Sequence, residues 1–335
     1  MEKPIVRAVD VGYGRVKFIK GRLPSGGYAC ESFPSVVGFA QSRSLGGGYF
    51  AERSTVTVAY KGAEYEVGPD ALLSTGASST RNLDMNYVRS DDYQILLRGA
   101  LKMMGLPRID VLVLGAPVAN YEEAKEHLRS AFTGRIAVDR SFEVRVESVL
   151  VLPQPLGGYA WHGRASGTYD RIRRELNLLI DPGYFTLDWL VALGTKIVPG
   201  RSGSHPAGMS SLVRLLASEV ARASGGGMDS LFLWDAIDRH FSTGEPLRLM
   251  GRPYDLGRHS GAIERLLASA AEAIAARVGD ARDIQNVILV GGPAKLYEPA
   301  IRKALPGHAI QVAEEPVFAN VRGFQLVGEE LASRV

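Results

Sequence analysis

Two stretches of this chain place acids, glycines and hydroxyls at spacings that suit phosphate chemistry. "VDVGYGRVKF" ends an apolar run at Asp10 and continues through Gly12, Tyr13 and Gly14 to Lys17. "LIDPGYFTLDWL" does the same with Asp181, Gly183, Tyr184 and Thr186, with Asp188 just beyond. Glycine lets a backbone take positive φ and approach a ligand closely. Successive amides in such a turn converge on a concavity suited to phosphate oxygens. Lys17 would add a point charge toward those oxygens, and Thr186 a hydroxyl. Two aspartates on facing turns would hold Mg²⁺, mostly through water, because that ion dehydrates reluctantly. Each stretch alone has a plainer reading. Gly12 and Gly14 suit a tight hairpin, and Asp181 suits an Asx-turn that caps its own backbone.

A third stretch, "NVILVGGPAKLYEPAI", runs a strand into Gly291, Gly292 and Pro293 and then a helix. A corner without Cβ atoms lets a flat base or ribose pack closely. Equally, Pro293 suits the first turn of an ordinary helix. Other chemistries lack their residues. "GYGRVK" half-matches the dinucleotide signature, but its third glycine is missing and a strand follows where a helix should begin. No Walker A pattern occurs. The six histidines show no metal-ligand spacing, and Cys30 is the only cysteine, which excludes an intrachain disulfide and argues against a structural zinc site. "RSGSHPAG" sets Ser204 beside His205 without a nucleophile elbow and reads as a loop.

The elements that must position these residues are legible as alternating patterns. β-branched runs at 5–12, 15–21, 55–60, 110–118, 141–153, 176–181, 186–194 and 286–292 read as strands. Helical patterns occupy 91–104, 121–132, 156–162, 209–223, 229–240, 262–278 and 294–304. The mixture indicates α/β layers. Gly46–Gly48, Gly203–Gly208 and Ser224–Ser230 read as loops. The two Asp–x–Gly–Tyr units lie half a chain apart, each followed by a second strand, which indicates a duplicated pair of domains.

At 335 residues the chain has room for two such domains, and its 46% hydrophobic and 22% charged content is that of a soluble globular protein. A formal charge of +3 neither requires nor excludes a nucleic acid. "DRIRREL" (170–176) reads first as a solvated face and second as a contact for DNA or an acidic adaptor. Glu2 and Lys3 lead straight into a strand, so a secretory signal is not expected. No apolar run approaches the ~20 residues of a bilayer span. The expectation is a cytoplasmic protein that does not engage membranes.

Taken in order, with "VLVLPQPLGGYAW" between the hairpins, these stretches resemble the actin-like ATPase superfamily, particularly the ParM/StbA-type plasmid-segregation actins and their PRTRC protein D and archaeal relatives. "DDYQILLRGAL", "VLVLGAPVANY" and "EEPVFANVRGFQLVGEEL" resemble further segments of that family. The resemblance implies an actin-like, ribonuclease H-like α/β fold of two domains with a nucleotide cleft between them. Residues 1–158 plus 316–335 would form domain I, and 159–315 domain II. It implies ATP (or GTP) with Mg²⁺ as cofactor, Asp10 and Asp181 around the metal, and slow hydrolysis with Gln154 orienting water. Gly12, Tyr13, Gly14, Lys17, Gly183, Tyr184 and Thr186 would meet the phosphates. Gly291, Gly292 and Pro293 would line the base and ribose, and Glu219 is a candidate purine contact. Tyr13 stands where many relatives carry Ser or Thr, and Phe185 replaces a common Thr. Self-assembly into dynamic filaments and a DNA-binding adaptor partner follow from the same resemblance. Two alternatives stay open: a nucleotide-responsive scaffold that scarcely hydrolyses, and a small-molecule kinase of the same superfamily.

Overall fold

Both Asp–x–Gly stretches fold as β-hairpins, each inside its own compact unit. A computed structural model describes residues 3–40, 52–75, 81–223 and 230–334. The loops expected at Gly46–Gly48 and across 224–229 lie outside those residues. One unit comprises Met1–Ala116, Asn120–Pro153 and Phe324–Val335, and the other Pro117–Ala119 and Gln154–Gly323.

In the first unit, Val6–Val11 pairs antiparallel with Arg15–Arg22, which pairs antiparallel with Tyr28–Pro34. On its other side Val6–Val11 pairs parallel with Arg108–Ala116, and that strand with Glu143–Pro153. Gly134–Ala137 closes the edge. The second unit repeats this scheme. Leu176–Pro182 pairs antiparallel with Leu187–Leu193, which pairs with Lys196–Ile197. Parallel strands Asn286–Leu289 and Ile310–Val312 extend the other side. The motif repeat of the sequence is thus a repeat of strand order.

The central strands form because their apolar runs are unbroken. Leu112, Val113 and Leu114, like Leu178, Leu179 and Ile180, are fully buried in succession, as strands covered on both faces must be. The alanine-rich helix Ser260–Val278 buries Leu267, Ala270, Ala271 and Ile274 in the same core as Trp189 and Val287. Gly203–His205, expected as loop, is a short strand on Leu187–Leu193. Gly203 suits that place because the Trp189 ring lies where its Cβ would be.

Helix Asp91–Met104 carries its own start and stop signals. The Ser90 hydroxyl accepts from the Tyr93 amide, Asp91 and Asp92 fill the first turn, and Gly105 ends the helix at φ +67°. Ser90→Ala is expected to cost about 1 kcal/mol of folding stability, read from denaturant midpoints.

Two helices cover the points where the chain passes between units. Gln154–Ala165 follows directly on the strand ending at Pro153, so Gln154 is the first residue of a helix. Pro316–Ala332 belongs to the second unit as far as Gly323 and to the first unit thereafter. These helices touch backbone to backbone. A Cβ on Gly323 would lie 1.7 Å from the carbonyl oxygen of Gly157.

Candidate functional site

In the first unit, Asp10 is 1% exposed near the end of its strand and faces Lys17 across the hairpin. Lys17 Nζ stands 3.1 Å from Asp10 Oδ2, in an ion pair almost fully withdrawn from water. The Gly12 amide donates to the Arg15 carbonyl at 3.2 Å, closing the turn. Neither Gly12 nor Gly14 adopts positive φ, contrary to the expectation from sequence. What Gly12 supplies is closeness, since a Cβ there would meet the Arg15 carbonyl oxygen at 3.1 Å.

Ser35 fixes the direction of the peptide planes. Its hydroxyl donates to the Gly12 carbonyl at 2.5 Å and its amide to the Gly14 carbonyl at 2.9 Å. A trans peptide sends C=O and N–H opposite ways. Anchoring those carbonyls therefore turns the Tyr13 and Arg15 amides to the other side. The Tyr13 side chain points into the protein. Its hydroxyl donates to the Asp84 carbonyl at 3.0 Å, and its ring stacks on Tyr87 at 4.6 Å. Tyr93 packs edge-on against Tyr87, and burial pushes both of those phenols above their ordinary values.

In the second unit the same turn recurs. The Gly183 amide donates to the Thr186 carbonyl at 2.8 Å, and a Cβ on Gly183 would meet that oxygen at 2.9 Å. Three amides at the start of helix Met209–Ala223 tie this turn down: Gly208 to Phe185, Met209 to Gly183 and Ser210 to Tyr184, at 3.0, 3.0 and 2.6 Å. The peptide amides of Tyr184, Phe185 and Thr186 are thereby directed away from that helix. Gly208 cannot carry a side chain here without meeting the Phe185 and Tyr184 backbone at 2.7 Å.

Asp181 is 6% exposed and lies opposite Asp188, 3% exposed, in the hairpin register. Asn320 Nδ2 donates to Asp181 Oδ2 at 2.6 Å. Gly291, at φ +80°, packs on the same carboxylate, where a Cβ would come within 2.1 Å of Asp181 Oδ1. This corner therefore receives the aspartate, which is why glycine is needed there. Gly292 lies against Val317, and Pro293 caps helix Ala294–Ala304 from just outside its first turn. Gln154 is half-buried at its helix start. Glu219 pairs with Arg222 at 2.9 Å. Arg171 and Arg173 of the arginine run are ion-paired with Glu175 and Asp170, which favours the solvated-face reading.

Thr186 donates its hydroxyl to Asp188 Oδ2 at 2.7 Å. Asp188 Oδ1 has no well-formed hydrogen bond, nor does the buried hydroxyl of Ser204 on the paired strand. Burial raises the Asp188 carboxyl above its ordinary value, against the opposing pull of Ser204, Thr186 and the Val118 amide. A carboxyl raised by folding costs stability as pH climbs through its folded value, and that cost vanishes below the unfolded value. Asp188→Asn is therefore expected to raise the urea midpoint of the nucleotide-free protein at pH 8. The gain should shrink as pH falls into the carboxylate range.

Among the described residues no three His, Cys, Asp or Glu side chains converge as a metal cage. Magnesium does not need one. It commonly takes one or two carboxylates and completes its shell with water and phosphate oxygens. Buried Asp181, set opposite buried Asp188 by the hairpin register, is a carboxylate that such an ion suits.

Ser35, Gly208 and Asn320 were not legible as site residues. Each acts through a contact distant in sequence, and none belongs to an Asp–x–Gly stretch. Asp188 carried a signal: it stands two residues after Thr186, where the hairpin register sets it against Asp181.

Duplicated hairpin-and-parallel sheets with an aspartate and a pinned turn in each define an actin-type fold. Residues 8–157 match the family model for the N-terminal domain of actin-like proteins, and residues 179–303 that for the C-terminal domain of archaeal MreB-like actin homologues. The chain belongs to the actin-like proteins. The ParM of a 15-stranded filament from Clostridium botulinum matches with TM-score 0.76 at 20% identity, over 98% of this chain and 100% of that one. The archaeal actin homologue Ta0583 matches with TM-score 0.75 at 18% identity, over 99% and 100%. The same protein in complex with ADP matches with TM-score 0.74 at 18% identity, over 99% and 100%. No curated protein matches. No described helix is long and apolar enough to cross a membrane.

Proposed function

We propose that this chain binds ATP or GTP with Mg²⁺ between its two hairpins, hydrolyses it slowly, and polymerises into dynamic filaments that serve plasmid or DNA segregation or a cytoskeletal role in the cytoplasm. Residues 1–158 with 316–335 act as domain I in this reading, and 159–315 as domain II. The observation that carries it is the repeated turn, in which carbonyls are tied back and a buried aspartate stands at the base. Support also comes from the ADP complex of Ta0583 and from the filament of the Clostridium botulinum ParM.

Asp10 and Asp181 would hold the magnesium shell. Once bound, the ion would neutralise charge on the phosphates. The amides of Tyr13 and of 184–186 would bind phosphate oxygens, and Gln154 would orient the attacking water, as positioning without an added base allows. Gly291, Gly292 and Pro293 would shape the nucleoside side. Lys17 reaches the phosphates in this reading by sharing its charge between them and Asp10. Nucleotide would favour head-to-tail contacts, a heterologous geometry that builds open polymers. A DNA-binding adaptor would couple such a filament to cargo.

One observation favours the scaffold reading as a second possibility. Both side-chain hydroxyls of the turns, Tyr13 and Thr186, are committed to protein acceptors, so phosphate contact falls to backbone groups. Hydrolysis would then be very slow while binding persists. Light scattering and pelleting with ATP, ADP and no nucleotide test the primary reading. Polymer with ATP and its loss as ADP accumulates are expected. Monomer in all three conditions would overturn it.

A further inference from the structure

Asn320 lies in the last helix, 5% exposed, and both ends of its side-chain amide are used. Nδ2 donates to Asp181 Oδ2 at 2.6 Å, while Oδ1 accepts from the Gly158 amide at 3.0 Å. One side chain thus joins a candidate magnesium carboxylate to the helix that starts at Gln154. Gly158 accommodates this approach because a Cβ there would meet Asn320 Oδ1 at 2.9 Å and Val290 Cγ1 at 2.4 Å. One helical turn beyond Asn320, on the same helix face, Gly323 touches Gly157. The amide therefore sits at the crossing of the two helices through which the chain leaves this unit.

We propose that Asn320 is a positioning residue that aims Asp181 at a magnesium–nucleotide and couples the occupancy of that carboxylate to the Gly157–Gly323 helix crossing. The inference rests on the nucleotide reading given above. An amide that donates to one carboxylate oxygen fixes the rotation of the carboxylate and so the direction in which the group is presented. Partners of this kind, one shell out from a metal, typically change metal affinity about 10–100-fold when removed. Neither Ala nor Leu at this position could donate to Asp181 or accept from Gly158. Leu would keep most of the volume, so a loss shared by both variants would not be a cavity effect.

The test measures nucleotide binding by fluorescence as a function of Mg²⁺, and amide exchange at Gly158. Asn320→Ala and Asn320→Leu are expected to raise the magnesium half-saturation at least about tenfold. Binding in the presence of a chelator should change less than about twofold, because Asn320 is proposed to act only through the metal-facing carboxylate. A general loss of structure would lower both. In the unmodified protein, Gly158 exchange is expected to slow at least about tenfold when Mg²⁺ is added to the nucleotide complex. That measurement needs no variant to fold. If the unmodified chain binds nucleotide with Mg²⁺ while the variants keep its half-saturation, or if Gly158 exchange ignores the metal, the inference falls alone. If the unmodified chain shows no magnesium-dependent binding, the nucleotide reading falls and takes the inference with it.

Discussion

Asp181→Ala is expected to abolish magnesium-dependent nucleotide binding, with an affinity loss of at least about 100-fold at millimolar Mg²⁺. The stability of the empty protein should move far less. Two opposing effects decide this. Removing the carboxylate strands Asn320 Nδ2 in a buried place, which costs roughly 1–3 kcal/mol. It also takes a negative charge away from the neighbourhood of Asp188, whose carboxyl burial already raises. A large functional loss with a small stability change is the mark of a residue kept for its ligand. Urea unfolding without nucleotide, set beside titration at fixed Mg²⁺, separates the two. A variant that still binds with unchanged magnesium dependence would remove Asp181 from the metal site.

The parts of this molecule legible in the sequence are those set by local rules. Helix 91–104 was readable at both ends because its serine cap, first-turn acids and terminal glycine act within one turn. The two hairpins were readable because Asp, Gly and Tyr recur at equal offsets, and strand order followed the same duplication. Strands Ala63–Val67, Gly134–Ala137 and Ile310–Val312 were not readable. They are short, and pairing with a neighbour, more than an internal pattern, makes them strands. The last helix escaped for a different reason. Its interior carries Asn320, Gly323 and Gly328, which local propensity disfavours. Packing explains them: Asn320 serves Asp181, while Cβ atoms at 323 and 328 would strike Gly157 and Val113.

The site shows the same division. Position and residue type singled out Asp10, Asp181 and the turn glycines as candidates, yet gave the wrong reason for some of the glycines. Gly12 and Gly183 are glycines because a carbonyl three residues on closes against them, and not because φ is positive. Tyr13 was an anomaly in a phosphate turn until Asp84 and Tyr87 supplied its partners, more than seventy residues away. No window of sequence contains both halves of such a contact.

Gly323→Ala follows from the most crowded of these contacts, and its expected effect on folding exceeds that of any cap or surface change. A methyl carbon placed 1.7 Å from the Gly157 carbonyl oxygen has no rotamer to escape through, because Cβ is fixed by the backbone. A relaxed carbon-to-oxygen contact is about 3.3–3.6 Å, so the two helices must part by more than an ångström. Parting opens space beside Gly158 and Val290, which pack against each other there, and it stretches the Asn320 bond to the Gly158 amide. Forced overpacking costs typically about 1–3 kcal/mol, and opposed backbones place this site at or above the upper end. Helix propensity works the other way, since Ala is favoured over Gly by about 1 kcal/mol in a helix interior. The net expectation is a loss of about 2 kcal/mol or more, seen as a lower urea midpoint with an unchanged slope. Gly261→Ala provides the contrast. It also lies in a helix, but its added Cβ meets only the end of Arg265 at 3.5 Å, so propensity alone should act and stability should rise slightly. Equal midpoints for the two variants would show that the helices at 157 and 323 have room to part at no cost.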